Sequence, residues 1–188
     1  MPPSSPLVLA FGDSLVAGYG LPLADGFAAQ LERRLRPTRP DARVVPAGRA
    51  GDTSLEALRR LPGVLSRLAR RPDLAIVQLG PNDVLRQVPP AATRANLEAI
   101  LLEFGRCGVP VLLTSVTPPP FLLPRAEAYL GLHEALARAH GAGIVPFFPP
   151  GMLGHPDMVL RDRVHPNARA IAAVTAAMLP TVERLLDG

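Results

Sequence analysis

Short, near-continuous apolar runs alternate along this chain with longer stretches in which apolar residues recur every three or four positions. Leu7-Val8-Leu9-Ala10-Phe11, ending at Gly12, reads as a strand buried on both faces. Phe27 to Leu35 carries helical spacing and stops before Pro37. Val44-Val45 is a short second strand leading into Pro46-Ala47-Gly48. Thr53 or Ser54 can cap a helix running through Leu55, Leu58, Leu61, Val64, Leu65 and Leu68, with a bend or restart expected at Pro62. Leu74 to Leu79 is a third strand, Ala95 to Phe104 a helix, and Val109 to Ser115 a fourth strand. Glu127 to His140 reads as a helix stopped by Gly141, Ile144 to Phe147 as a fifth strand, and Asn167 to Leu186 as the last helix. This alternation predicts a parallel sheet with helices on both faces. With no repeat and no linker, residues 1–188 read as one domain, and Pro118-Pro119-Pro120 as a stiff loop within it.

Composition narrows the picture. With 48% apolar and 19% charged residues and a mean hydropathy of +0.21, the chain can fill a core and is not disordered. No apolar run approaches the ~20 residues needed to cross a bilayer. Met1 to Pro6 carries no basic residue, and Leu7 to Phe11 is too short for a secretory signal, so the chain as written reads as cytoplasmic. A chain shorn of a leader would read the same way, which leaves a periplasmic or secreted location open. Cys107 is the one cysteine, which excludes an internal disulfide and a cysteine-based metal site; it reads as a small core residue. All 20 basic side chains are arginines, so Schiff-base, P-loop-lysine and Ser-Lys chemistry are excluded. Arg33, Arg34, Arg36, Arg59, Arg60, Arg67, Arg70 and Arg71 alternate with leucines at helical spacing, as solvated helix faces do, and not as a nucleic-acid stripe.

In a parallel α/β sheet a site is expected at the carboxyl ends of the strands, and the unusual residues fall there. After the first strand comes Gly12-Asp13-Ser14-Leu15, which can present a serine hydroxyl at the sheet edge or simply cap a helix. No G-x-S-x-G occurs, which argues against an α/β-hydrolase elbow. After the second strand, Gly48-Arg49-Ala50-Gly51-Asp52-Thr53 can turn backbone N–H groups toward a negative charge or serve as a turn and cap. After the third, Gly80-Pro81-Asn82-Asp83 places a neutral amide that can donate to an oxyanion or hold a turn. Near the end, Asp162 and His165 are three apart, so one turn can bring carboxylate and imidazole together, as a nucleophilic serine requires of its base.

Together, Gly12-Asp13-Ser14-Leu15, Gly51, Gly80-Pro81-Asn82-Asp83 and Asp162-Arg163-Val164-His165 resemble the four blocks of the SGNH (GDSL) hydrolases. Phe11 to Gly20, Gly51-Asp52-Thr53-Ser54 and His165-Pro166-Asn167 extend the resemblance to the bacterial acyl-thioesterase, lysophospholipase and arylesterase branch, from about Leu7 to Leu186. It implies a three-layer α/β/α, flavodoxin-like fold with about five parallel strands. It implies Ser14 as nucleophile, His165 as base and Asp162 as its partner, with an oxyanion hole made of the Ser14 and Gly51 N–H groups and the Asn82 side chain. No cofactor and no metal are implied. Pro81 departs from the glycine common in that branch and stiffens the loop where substrate would arrive.

The other polar residues in these blocks have plainer readings. Asp13, Asp52 and Asp83 are expected to accept from turn N–H groups, His155-Pro156-Asp157 lacks a preceding partner for its imidazole, and His133 and His140 read as solvated. Val84 to Val88, Thr117 to Leu123 and Phe147 to Leu160 are the segments expected to roof the site, and they are mostly apolar. With no Trp and only 2 Tyr for stacking on sugars, an apolar acyl or aryl ester or thioester is the expected small-molecule substrate. A sugar O-acetylesterase, an acyltransferase and a catalytically silent binding module on the same fold remain the alternatives.

Overall fold

The computed structural model describes residues 5–188; the part of the N-terminal reading that falls on Met1 to Ser4 lies outside it. The chain order is β1 (Leu7–Gly12), α1 (Ser14–Ala17), α2 (Phe27–Leu35), β2 (Arg43–Gly48), α3 (Ser54–Leu65), β3 (Leu74–Gln78) and α4 (Pro81–Leu85). There follow α5 (Pro90–Arg106), β4 (Val111–Ser115), α6 (Leu123–Ala126), α7 (Leu132–His140), β5 (Gly143–Pro146) and α8 (Ala168–Asp187). The five strands form one sheet in the order β2-β1-β3-β4-β5, every neighbouring pair parallel. This is the flavodoxin-like order, and its topological switch lies between β1 and β3.

The period of two along each strand decides which helices it meets. Val8, Ala10, Leu74, Ile76 and Leu112 face one side, where they pack with Leu15 and Val16 of α1, Phe27, Leu31 and Leu35 of α2, and Ile171, Val174, Met178 and Val182 of α8. Leu9, Phe11, Ala75, Val77 and Leu113 face the other, with Ala57 and Leu61 of α3, Leu97, Ile100 and Phe104 of α5, and Leu132 and Leu136 of α7. Both faces are thus covered, the three-layer arrangement that the apolar runs and the resemblance imply. Among the described residues, no helix is long and apolar enough to cross a membrane.

Four local expectations need correction. The helix expected from Ala95 begins at Pro90, because a proline in the first turn lacks only an N–H that has no helical acceptor there. The helix expected over Glu127–His140 is split: a 3₁₀ turn covers Glu127–Tyr129, Leu130 is extended, and Gly131 at φ 73° precedes α7. The fourth strand begins at Val111, two residues late. The two short helices α1 and α4, of four and five residues, have no counterpart in the apolar pattern. Thr53 does cap α3, with Glu56 completing a capping box, and Pro62 is carried inside that helix on its exposed side.

Candidate active site

Because β2, β1 and β3 are neighbours, their carboxyl ends deliver Gly51, Ser14 and Asn82 to one edge of the sheet. Beyond Gly12 the chain turns at Asp13, whose Oδ1 accepts from the Leu15 N–H (3.0 Å) and starts α1 at Ser14. Gly48 makes this placement possible. A Cβ there would lie 2.2 Å from the Ala17 nitrogen, so α1 rests on the end of β2 with no room for a side chain.

The Ser14 hydroxyl lies 3.0 Å from Nε2 of His165, a residue 151 positions away. His165 Nδ1 is 2.7 Å from Asp162 Oδ2. A carboxylate can only accept here, so Nδ1 carries the proton, and Nε2 is left to accept from the serine. Asp162 Oδ1 also accepts from the N–H groups of Val164 (2.9 Å) and His165 (3.0 Å). These bonds, the Val164 N–H first, hold the Asp162 carboxyl down at about 2, so it is ionised throughout the neutral range. The turn is closed by Arg163, which donates its N–H to the Leu160 carbonyl at φ 58°. Asn167 then caps α8 by accepting from Ala170 N–H and ties the turn back to Asp157 and Met158. Tyr19, whose N–H donates to the Ser14 carbonyl, lays its ring 4.4 Å from that of His165.

On the other side of Ser14, the Asn82 side chain donates to the Asp52 carbonyl (3.0 Å) and approaches Asp13 Oδ2 (3.4 Å). It sits in the first turn of α4, where Pro81 fills the N1 position. Gly80 before it has φ 120°, and a Cβ there would lie 2.9 Å from the His133 ring. The Ser14 and Gly51 N–H groups have no protein acceptor among the described residues, so both are available to an anionic oxygen, whereas the Asn82 amide already donates to the Asp52 carbonyl and to Asp13.

The sequence reading of the surrounding polar residues holds in part. Asp13 and Asp83 do accept from backbone N–H groups, Asp83 from Ser54 (2.8 Å) and also from the Ser54 and Thr93 hydroxyls. Asp52 instead pairs with Arg60. Arg60 is therefore no solvated residue: it also donates to the carbonyls of Ala47 (2.9 Å) and Gly12 (2.8 Å) and stacks on Phe11 at 4.3 Å. Arg34 likewise ties α2 to Thr175 and Ala172 of α8. His133 and His140 are not solvated either. His133 Nε2 lies 2.8 Å from the Leu79 carbonyl, and burial keeps its imidazole below the usual range; His140 pairs with Glu98 at 3.0 Å. Spacing told which helix face these side chains occupy, but not that a neighbouring loop or helix covers it.

Burial pushes the Asp13 carboxyl up to about 7, against the pull of the Leu15 N–H and the Gln78 amide, and the charges of Asp52 and Asp83 push the same way. Among the described residues, no group of three or more His, Cys, Asp or Glu is arranged to hold a metal ion. Of the expected roof, Phe147, Phe148 and Met152 are buried in the core beside α2 and α8 and do not line the site. A serine hydroxyl bonded to an oriented imidazole, with unengaged Ser14 and Gly51 N–H groups at the same edge of the sheet, can perform nucleophilic acyl transfer.

Residues 10–173 match the GDSL-like Lipase/Acylhydrolase family. The chain is 36% identical over 180 residues to Esterase TesA of Pseudomonas aeruginosa, covering 95% of this chain and 89% of that protein. It is 30% identical to Thioesterase 1/protease 1/lysophospholipase L1 of Escherichia coli K12, with 96% and 85% covered. Among solved structures, AlinE4, an SGNH-hydrolase family esterase, superposes with a TM-score of 0.79 at 40% identity, covering 96% of each chain. The chain belongs to the GDSL-like lipase/acylhydrolase family and is a GDSL-type serine hydrolase of the esterase/thioesterase class.

Proposed function

We propose that this enzyme hydrolyses esters or thioesters of apolar acyl or aryl groups through an acyl-enzyme on Ser14. His165 Nε2 takes the hydroxyl proton as Ser14 Oγ attacks the substrate carbonyl carbon, and Asp162 stabilises the resulting imidazolium. The carbonyl oxygen, now anionic, is met by the Ser14 N–H, the Gly51 N–H and Asn82 Nδ2, which exchanges its long bond to Asp13 (3.4 Å) for the oxyanion. Collapse of the tetrahedral adduct expels the alkoxide or thiolate, which takes the proton from His165. Water then repeats the attack on the acyl-enzyme with His165 again as base, releasing the acid and restoring Ser14.

The observation that carries this reading is the unbroken relay Asp162–His165–Ser14, with links of 2.7 and 3.0 Å, beside the unengaged Ser14 and Gly51 N–H groups. The apolar preference is supported by the side chains exposed in the connections at this edge of the sheet: Tyr19, Leu85, Phe121 and Val164.

Hydrolysis of p-nitrophenyl esters from acetyl to palmitoyl, by wild type and Ser14→Ala together, tests the reading. Activity that peaks beyond acetyl and vanishes in Ser14→Ala is expected, with CoA thioesters the next substrates. Activity confined to acetate would redirect the reading to a sugar O-acetylesterase, and a folded but inert wild type would sink it. Asn82→Ala should keep its fold and lose about 10²–10³ in kcat, the usual cost of one oxyanion donor.

A further inference from the structure

Three consecutive peptide groups after β2 are gripped by four side chains. The Gly51 carbonyl accepts from Arg86 Nη2 (2.8 Å) and the Asp52 carbonyl from Asn82 Nδ2 (3.0 Å). The Thr53 N–H donates to Glu56 (2.7 Å) and the Ser54 N–H to Asp83 (2.8 Å). Three of the four gripping side chains, Asn82, Asp83 and Arg86, come from α4 and the residue that caps it. Asn82 and Arg86 are four apart, so they share one face of that helix and reach successive carbonyls of the same loop.

We propose that Arg86 is a positioning residue for the oxyanion hole: its bond to the Gly51 carbonyl fixes the glycine whose N–H faces the substrate oxygen. This rests on the assignment of Gly51 and Asn82 as donors made above. Gly51 has φ 85°, and glycine can leave that conformation at little cost, so its own backbone does not hold the N–H in line. The loop anchors it on one side through Asp52 N–H to the Arg49 carbonyl (3.2 Å). Arg86 supplies the other anchor, and its guanidinium occupies the side of Gly51 where a Cβ would come within 3.4 Å of Nη2. Its second arm, Nη1, lies 3.2 Å from Glu56 Oε1, and Glu56 is itself pinned to Thr53 by the capping box. The fork therefore spans loop, α3 and α4 at once, aligning two donors from different strand ends as one unit. A half-exposed ion pair of this kind contributes little to stability, so its removal should be read in catalysis more than in folding.

The test compares Arg86→Gln and Arg86→Lys with wild type, with Ser14→Ala and Asn82→Ala as controls, on p-nitrophenyl butyrate. Affinity for a trifluoromethyl ketone carrying the same acyl chain, which becomes an oxyanion on the nucleophile, is measured alongside. Arg86→Gln should lower kcat about tenfold and weaken the ketone by the same factor, with KM within about twofold, since a donor out of line loses much of its effect. Arg86→Lys, which can reach Gly51 or Glu56 but not fork to both, should fall between the two. Unchanged kcat and ketone affinity in Arg86→Gln would overturn the proposal, as would a loss carried wholly by KM, which would mean that Arg86 meets substrate directly. Should the two controls themselves keep wild-type rates, the site assignment fails and the proposal falls with it.

Discussion

Asp13 carries the chemistry of its neighbourhood in a single proton. With a carboxyl pushed up to about 7 from 3.8, the folded state binds that proton more tightly than the unfolded chain does. Its contribution to stability is therefore fully present below pH 3.8 and lost as pH rises through about 7. Gln78 Oε1, alone among the described buried side-chain atoms, lacks a partner, and a protonated Asp13 offers it a donor once the amide turns. Asp13→Asn supplies the same donor at every pH. Thermal unfolding across pH 5–8 should show the variant gaining on wild type as pH rises; a constant difference would mean that Asp13 does not titrate with folding. Ser14, Asp162 and His165, which the fold brings together, were legible as the proposed nucleophile, acceptor and base because they stand at strand and helix ends in a recognisable spacing. Gln78 and Arg60 were not, since one hides within a strand and the other among surface arginines.

Elements differ in how far the chain reveals them. The three inner strands are short apolar runs because both of their faces are covered, and the exits of all strands but β2 were placed to within two residues; β2, a partly exposed edge strand, runs three residues past Val45. α1 and α4 are too short to show a period, yet they set the positions of Ser14 and Asn82. What forms them is close approach. α1 starts where Asp13 caps it and lies against Gly48; α4 starts where Gly80 adopts φ 120° beside His133. Gly48→Ala should therefore act on the element as a whole, because its Cβ would meet backbone atoms of Ala17 that no rotamer change can move. Urea unfolding should register a loss of about 3 kcal/mol, at the upper end of overpacking costs, and the remaining folded enzyme should turn over slowly. A loss below about 0.5 kcal/mol, within the range of ordinary surface substitutions, would show that α1 can slide without consequence.

Across the molecule, Arg60 joins one helical layer to the ends of two strands. From α3 it reaches the ends of β1 and β2 through Gly12 and Ala47, pairs with buried Asp52, and covers Phe11 of the sheet. Arg60→Met keeps the hydrocarbon stem but strands the Asp52 charge, and should destabilise by about 3 kcal/mol in urea unfolding. Adding Asp52→Asn should recover part of that loss; if it does not, the carbonyl bonds matter more than the charge. The relay that links Ser14 in the first helix to His165 just before the last spans 151 positions. A fragment that stops short of His165 lacks one of the two partners, so on the proposed assignment a chain stays chemically silent until the turn before α8 is in place. Hydrolysis would thus report that both ends of the relay have met, and a backbone cut at the proline-rich bend after β4 would turn the enzyme into a two-piece reporter whose signal requires the halves to rejoin.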